Sequence, residues 1–334
     1  MATTTDKADE TEGGPLARWT QSAIQNPGKV YQALFYAAMV FFIVTTLFPF
    51  YWLLVLAVTP RENLLAGSFL PSFDLFGSQM TFPLPVPNKG VNLEAFITIF
   101  EQIPFHLFVL NSFALALTTT IIILIIASLA GYAFGRLEFP GRALLMLGIL
   151  AISYFPPAAF LIPLFEAFAG NEPILIPFTE IPLFTGPRLL NTPGSMVIPF
   201  SGLFLPLAVF ILTTFYAQIP DGLEDAARVE GTTRLGALFR VIMPLSAPGV
   251  ATAAVLTFIS VYNEYFFSSI MALSPEAQNW SPLVGGILSY QTQYTTQFNL
   301  MAAASVVGVL PVVILVVVAQ ERIVSGLTSG ALKE

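Results

Sequence analysis

Leu223 to Pro248 reads L-E-D-A-A-R-V-E-G-T-T-R-L-G-A-L-F-R-V-I-M-P-L-S-A-P, a charged stretch set between two very apolar segments. Just upstream, Asp221 can cap a helix, and Glu224, three residues on, completes an Asp-type capping box. Ala226, Ala227, Arg228, Val229 and Glu230 favour helix. Gly231 is a natural stop. Thr232 or Thr233 can cap a second helix through Leu235, Leu238, Phe239, Val241 and Ile242, which Pro244 and Pro248 end. The stretch therefore predicts helix, glycine turn, helix. Ala226 and Ala227 leave a shallow surface that a partner can approach closely, and Glu224, Asp225, Arg228 and Glu230 offer it charges. A solvated amphipathic loop lying on a membrane face would use the same residues, so the residues alone leave both readings open.

The flanking segments explain why such a loop matters. The chain of 334 residues is 55% hydrophobic and 10% charged, with 31 Phe, and its mean hydropathy is +0.77. Soluble domains carry roughly 25% charged residues. A chain this apolar cannot cover its surface with polar groups, so the bilayer is its solvent. Six segments, near 31–58, 107–130, 142–165, 196–216, 249–270 and 300–319, are apolar and long enough to span. A hydrocarbon layer of ~30 Å takes about 20 helical residues. In lipid each must be helical, because every backbone donor and acceptor needs an internal partner. Pro156, Pro157 and Pro163 interrupt the third, which predicts a kink there. The expected fold is an all-α polytopic membrane protein of six transmembrane helices.

Basic residues set the expected orientation. With the N-terminus inside, the inner segments hold Lys7, Arg18, Lys29, Arg136, Arg142, Arg228, Arg234, Arg240, Arg322 and Lys333, and the outer ones hold Arg61, Lys89 and Arg188. That is the positive-inside bias of a cell-membrane protein with both termini and the Leu223–Pro248 loop in the cytoplasm. The chain divides into a polar tail at 1–30, whose residues 1–14 read as disordered, a first span at 31–58, an outer loop at 59–106, a core at 107–322 that includes the loop at 217–248, and a tail at 323–334. No short apolar core with a cleavage site opens the chain, so no signal peptide is read. The outer loops 59–106 and 166–195, rich in Pro, Phe and Gly, are expected to form ordered caps.

Several segments carry a family resemblance. D-A-A-R-V-E-G at 225–231 with I-M-P-L at 242–245 resembles the "EAA" loop of ABC-importer permeases, with Asp225 where that pattern has glutamate. N-S-F-A-L-A-L-T-T-T at 111–120, A-G-Y-A-F-G-R-L-E-F-P-G-R at 130–142, Y-N-E-Y-F-F at 262–267 and A-Q-E-R-I-V-S-G-L-T-S-G-A-L-K at 319–333 resemble the binding-protein-dependent carbohydrate permeases of the maltose-transporter type. The resemblance implies a MetI-like permease core and a coupling helix over Leu223–Gly231, with Leu223, Glu224, Asp225, Ala226, Ala227, Arg228, Glu230 and Gly231 docking on an ATPase subunit. It further implies a sugar or oligosaccharide as cargo. The implied partners are a second permease chain in a heterodimer, an ABC ATPase dimer that holds ATP and Mg, an extracytoplasmic solute-binding protein, and membrane lipid; no nucleic acid is implied. The segment around 170–187 has no counterpart in the pattern.

Other residues bear on cargo and chemistry. Glu264 is the one acid placed inside a span, and intramembrane acids mark functional sites by default. With Tyr154, Phe155, Tyr262 and Asn263 it forms a possible substrate pathway, since sugars bind aromatic faces edged by hydrogen-bonding groups. An interfacial acid and packed aromatic residues are the plainer reading. Asn111 and Ser112 are expected to cap the second span, and His106 to lie at the interface. The chain has no cysteine, one histidine and no G-x-x-x-x-G-K-[ST] phosphate loop. No catalytic residue, cofactor or metal is therefore expected in it, and the motor must be a separate subunit. The rivals are an ABC permease for a non-sugar solute and an ion-coupled secondary transporter. The latter would show internal repeats and midplane ionisable residues.

Overall fold

A computed structural model describes residues 27–64, 69–70, 72–75, 78–81, 89–170, 173–176, 178–274, 276–293 and 295–331. The expectations for residues 1–26 lie outside the described residues. The first helix, α1 (Pro27–Val58), is apolar on every side and 32 residues long, roughly 48 Å at 1.5 Å per residue. It belongs to a compact unit of its own up to Val55, and Leu56 onward forms a second unit.

Within the second unit, α2 (Ala95–Gln102) precedes α3 (Phe105–Arg136), α4 (Arg142–Ile152), α5 (Ala158–Ala169) and α6 (Gly194–Ala217). The loop region contributes α7 (Asp221–Val229) and α8 (Arg234–Leu245). Then come α9 (Ala247–Tyr262), α10 (Ser268–Met271), α11 (Leu283–Leu288) and α12 (Phe298–Ala331). The fold is mostly helical, as expected. Two antiparallel hairpins are added: β1 (Ser72–Leu75) with β2 (Ser78–Thr81), and β3 (Pro173–Leu175) with β4 (Pro182–Thr185). Both fall in the loops expected to be ordered caps.

The core forms where α3 packs on α6 and where α9 packs on α3, α6 and α12. Ile123, Ala127, Ala208, Leu212, Tyr216, Leu238, Ile242 and Ala253 are buried together there. Glycine makes the α3–α6 approach possible. A Cβ on Gly131 would lie 2.9 Å from Leu212 Cβ, and one on Gly135 would lie 3.0 Å from the Thr213 carbonyl oxygen. The backbone of α3 therefore runs close against the last turns of α6.

Among the described residues, four unbroken helices are long and apolar enough to cross a membrane: α1, α3, α6 and α12. Counted as one bent span, the pair α8–α9 would make a fifth. The expected count of six is thus not reproduced. The predicted third span is two short helices, because Pro156 and Pro157 lack the N–H that a continuous helix needs. The predicted fifth span ends at Tyr262 and resumes as a single turn at Ser268, and α8 meets α9 at 84°. Pro244 does not end α8. One turn before it the helix widens to π geometry over Leu238–Ile242, which shifts the hydrogen-bond register ahead of the missing donor. The last helix runs past its predicted end at 319 to Ala331.

Candidate functional site

The charged hairpin folds as predicted in outline and differs in its fastenings. Asp221 is the first residue of α7 and not its cap; Pro220 precedes the helix and no side chain caps it. The expected capping box is absent because both of its carboxylates have a stronger partner. Arg136, the last residue of α3, reaches Asp221 Oδ1 at 2.9 Å and Glu224 Oε2 at 3.0 Å, and donates to the Ile219 carbonyl at 2.5 Å. Its side chain is 4% exposed. Tyr132, one turn earlier, donates its hydroxyl to Glu224 Oε1. Charge-assisted bonds of this kind outweigh a neutral backbone donor.

Glu224 therefore differs from the sequence expectation. It is buried and held by its own chain, so it does not face outward beside Asp225. The exposed face of α7 is carried by Leu223, Asp225, Ala226, Arg228, Val229 and Glu230, with Ala227 half-buried. Val229 is 89% exposed, an unusual position for a branched apolar side chain. Arg228 and Asp225 lie 3.8 Å apart across one turn, both largely in solvent.

The turn after α7 is a Schellman motif. Thr232 N–H donates to the Ala227 carbonyl at 3.1 Å, and Gly231 N–H donates to that of Arg228 at 3.0 Å. Gly231 sits at φ +91°, where an L side chain is strained. Thr232 Oγ1 also donates to the Ala227 carbonyl at 2.7 Å. Thr233 then caps α8 by accepting from Gly236 N–H at 3.1 Å. Leu235 and Phe239 are exposed on α8. Between the end of α3 and α7 lies a polar cleft of about 470 Å³, lined by Arg136, Arg142, Arg228 and Arg234 with Glu138 and Asp225. Sequence reasoning missed Tyr132 and Arg136 as parts of this site. Their partners lie 92 and 88 residues away, so no local pattern links them.

The residues of the expected substrate pathway are not brought to one surface. Tyr154 is 89% exposed on the α4–α5 break. Phe155, beside it, lines an apolar cavity of about 260 Å³ with Phe160, Ile198, Pro199 and Phe267. Tyr262 is buried, its hydroxyl donating to the Gly308 carbonyl at 2.7 Å and its ring stacked on Phe258. Asn263 donates to the Ile259 carbonyl of its own helix at 2.9 Å. Glu264 is buried and accepts from Phe267 N–H at 2.9 Å, with Ser268 Oγ 3.5 Å from its other oxygen. Asn111 and Ser112 lie inside α3 and do not cap it. They hold the segment before α11, through Ala277 and Ser281 carbonyls at 2.8 and 3.1 Å and Leu283 N–H at 2.8 Å. His106 is exposed in the first turn of α3.

Known proteins share this architecture. Residues 124–329 match the binding-protein-dependent transport system inner membrane component family. The chain is 39% identical over 241 residues to the sulfoquinovosyl glycerol transport system permease protein SmoH of Agrobacterium fabrum, covering 72% of this chain and 78% of that one. It is 30% identical to the trehalose transport system permease protein SugB of Mycobacterium tuberculosis over 86% of this chain and 92% of the relative. It is 31% identical to the trehalose/maltose transport system permease protein MalG of Thermococcus litoralis, over 86% and 91%. A solved bacterial ABC transporter for alginate import has the same fold, with a TM-score of 0.62 at 19% identity over 88% of this chain and 97% of that one. The apolar helices, the hairpin fastened to the end of α3 and these matches together show that the chain is a multi-pass membrane permease belonging to the binding-protein-dependent transport system inner membrane component family.

Proposed function

We propose that this chain is one of two permease subunits of an ATP-driven importer whose cargo is a sugar or oligosaccharide, and that α7 is its coupling helix. The carrying observation is the two-sidedness of α7. One face is locked to α3 through Glu224, Arg136 and Tyr132. The rest of the helix leaves Leu223 and Val229 bare beside Asp225. A helix held on one side by buried charge and bare on the other suits a docking surface. An ATPase subunit that grips the bare face and moves would carry the end of α3 with it. ATP and Mg belong to that subunit, since this chain has no phosphate-binding loop.

The cargo reading rests on the relatives, whose names specify sulfoquinovosyl glycerol, trehalose, and trehalose or maltose. On this reading the hairpin and both termini are cytoplasmic, α3 to α12 form the translocating core, the partner permease is a different chain, and a solute-binding protein delivers cargo to the opposite end. Alternating access then needs the motor to bind the two conformations with different affinity. The experiment is reconstitution of the complete transporter with its binding protein, followed by ATPase assays across a sugar panel. Stimulation by at least one saccharide is expected. Stimulation only by a non-sugar solute overturns the cargo, and an ATPase that does not co-purify overturns the coupling role.

A further inference from the structure

The apolar helices α3 and α6 end, and α4 begins, at the polar cleft of about 470 Å³ beside the hairpin. Gly135 and Arg136 close α3 there, Ala217 closes α6 and Arg142 opens α4. An apolar groove of about 290 Å³ has the same three walls: Phe134 of α3, Thr213 of α6, and Ala143 and Met146 of α4. Phe134 directly precedes Gly135, and Thr213 lies one turn before Ala217. Arg142 lines both spaces. Groove and cleft therefore adjoin at Arg142, apolar along the helices and polar at their ends. Because α3 and α6 are long and apolar enough to cross a membrane, their ends put the cleft at the depth of lipid headgroups.

The charges of the cleft are unequally engaged. Arg136 holds Asp221 and Glu224, and Arg228 lies 3.8 Å from Asp225. Glu138, the fourth acid of the lining, is exposed. Arg142 and Arg234 form no ion pair among the described residues. They stand on different elements, as the first residues of α4 and α8. A guanidinium offers five donors in a planar fork and no acceptor. That fork matches the oxygens of a phosphate. Arg142 is half-buried and borders an apolar and a polar space at once. This is the setting of a side chain whose stem packs on apolar surface while its head stays in the headgroup layer.

We infer that groove and cleft together hold one anionic phospholipid, its phosphate between the guanidiniums of Arg142 and Arg234 and an acyl chain along Phe134, Ala143 and Met146. A free phosphate would meet the arginines and leave the groove bare. A zwitterionic lipid would bring its own cation to them. Paired basic residues at the membrane surface recognise anionic headgroups in this way. Leu223 and Val229, the bare residues of α7, do not line the cleft, so the lipid and a docked ATPase subunit use different surfaces. The bound lipid ties the start of α4 to the start of α8. The inference rests on the membrane placement of α3 and α6 and is independent of the cargo.

The test uses the complete permease–ATPase complex in detergent, titrated with phosphatidylglycerol and with phosphatidylcholine of the same chains, and read by native mass spectrometry. Wild type is expected to retain phosphatidylglycerol in preference to phosphatidylcholine. Arg142→Gln and Arg234→Gln are each expected to weaken that retention about tenfold, the factor carried by one charge-assisted hydrogen bond. The double variant should lose one phosphatidylglycerol altogether. Arg142→Lys, which keeps the charge and loses the fork, should lie between wild type and Arg142→Gln. Arg188→Gln, at an exposed arginine that lines neither space, should retain lipid as wild type does. Glycerol phosphate, the headgroup without chains, should not displace the lipid. Undiminished retention in the double variant overturns the site, and the two single variants decide on the same criterion if the double variant does not assemble. Displacement by glycerol phosphate overturns the lipid and gives the arginines to a soluble phosphate. Loss of the ATPase subunit with lipid retention unchanged gives them to the motor and overturns the inference as well.

Discussion

Glu224 and Glu264 are the two buried acids among the described residues, and they are satisfied in opposite ways. Glu224 meets a guanidinium and a phenol from a helix about ninety residues earlier in the chain. Glu264 meets a backbone N–H and a hydroxyl three and four residues ahead of it. The first arrangement ties two distant segments into one rigid piece. The second only shapes a local turn, where α9 stops and α10 begins. A buried charge therefore marks a mechanical joint in this molecule when its partner is remote in sequence, and a fold in the chain when its partner is near.

The largest effect should come from breaking the remote joint. Glu224→Ala leaves Arg136 buried beside the exposed Asp221 alone, and loss of one partner of a buried pair costs about 3–5 kcal/mol. We expect a clearly lowered Tm of the purified permease and loss of the co-purifying ATPase. Arg136→Ala should behave alike, and the double variant should be far less harmful than the sum of the two. Strictly additive losses would show that the two residues act apart, and the contrast with Glu264 would disappear.

Gly231→Val should come next. Open space surrounds the position, so the substitution meets no clash and its whole effect is backbone strain at φ +91°. Such strain costs about 1–3 kcal/mol. Here it distorts the Schellman turn that sets α7 against α8. Sugar-stimulated ATPase activity should fall well below wild type, and Gly231→Asn, which tolerates positive φ better, should lie between the two. Val229→Asp should be milder for the fold. An 89% exposed side chain contributes little to it, so Tm should hold while ATPase co-purification weakens. A drop in Tm with docking intact would place Val229 in the permease's own packing.

These contrasts also show what the sequence could carry. The helix–glycine–helix hairpin was legible because Gly231, Thr233 and the alanines act within a few residues of one another. The long apolar helices were legible from hydropathy, and the break at Pro156–Pro157 from the missing donors, although its size was not. The Asp221 cap was misread because Arg136 competes for that carboxylate from 85 residues upstream. The hairpins β1–β2 and β3–β4 were hidden because their strands run only three or four residues, too short for an alternation such as Ser72-Phe73-Asp74-Leu75 to stand out. The expected substrate pathway was read from neighbours in sequence, and the fold gives those neighbours different surroundings. Tyr154 is exposed while Phe155 beside it lines an apolar cavity, and Tyr262 is buried while Asn263 beside it is exposed.

The smallest effect belongs to Glu264, and it tests the comparison from its weaker side. Glu264→Gln keeps an acceptor oxygen for Phe267 N–H and loses only the charge. If the carboxylate does no more than hold the turn, Tm should shift little and sugar-stimulated ATPase activity should stay within about twofold of wild type, since surrendering part of one hydrogen bond costs of order 0.5–1.5 kcal/mol. Glu264→Ala removes the acceptor and should cost more, near the ~1 kcal/mol of a lost helix cap. Stability would then fall with transport following it. A turn-holding acid predicts that ranking in both measurements. An acid that touches cargo predicts something else: Glu264→Gln would cut transport severely at an unchanged Tm, because a neutral amide keeps the fold and changes the ligand's electrostatics. Transport and Tm measured together on Gln and Ala variants therefore separate a local turn from a pathway residue.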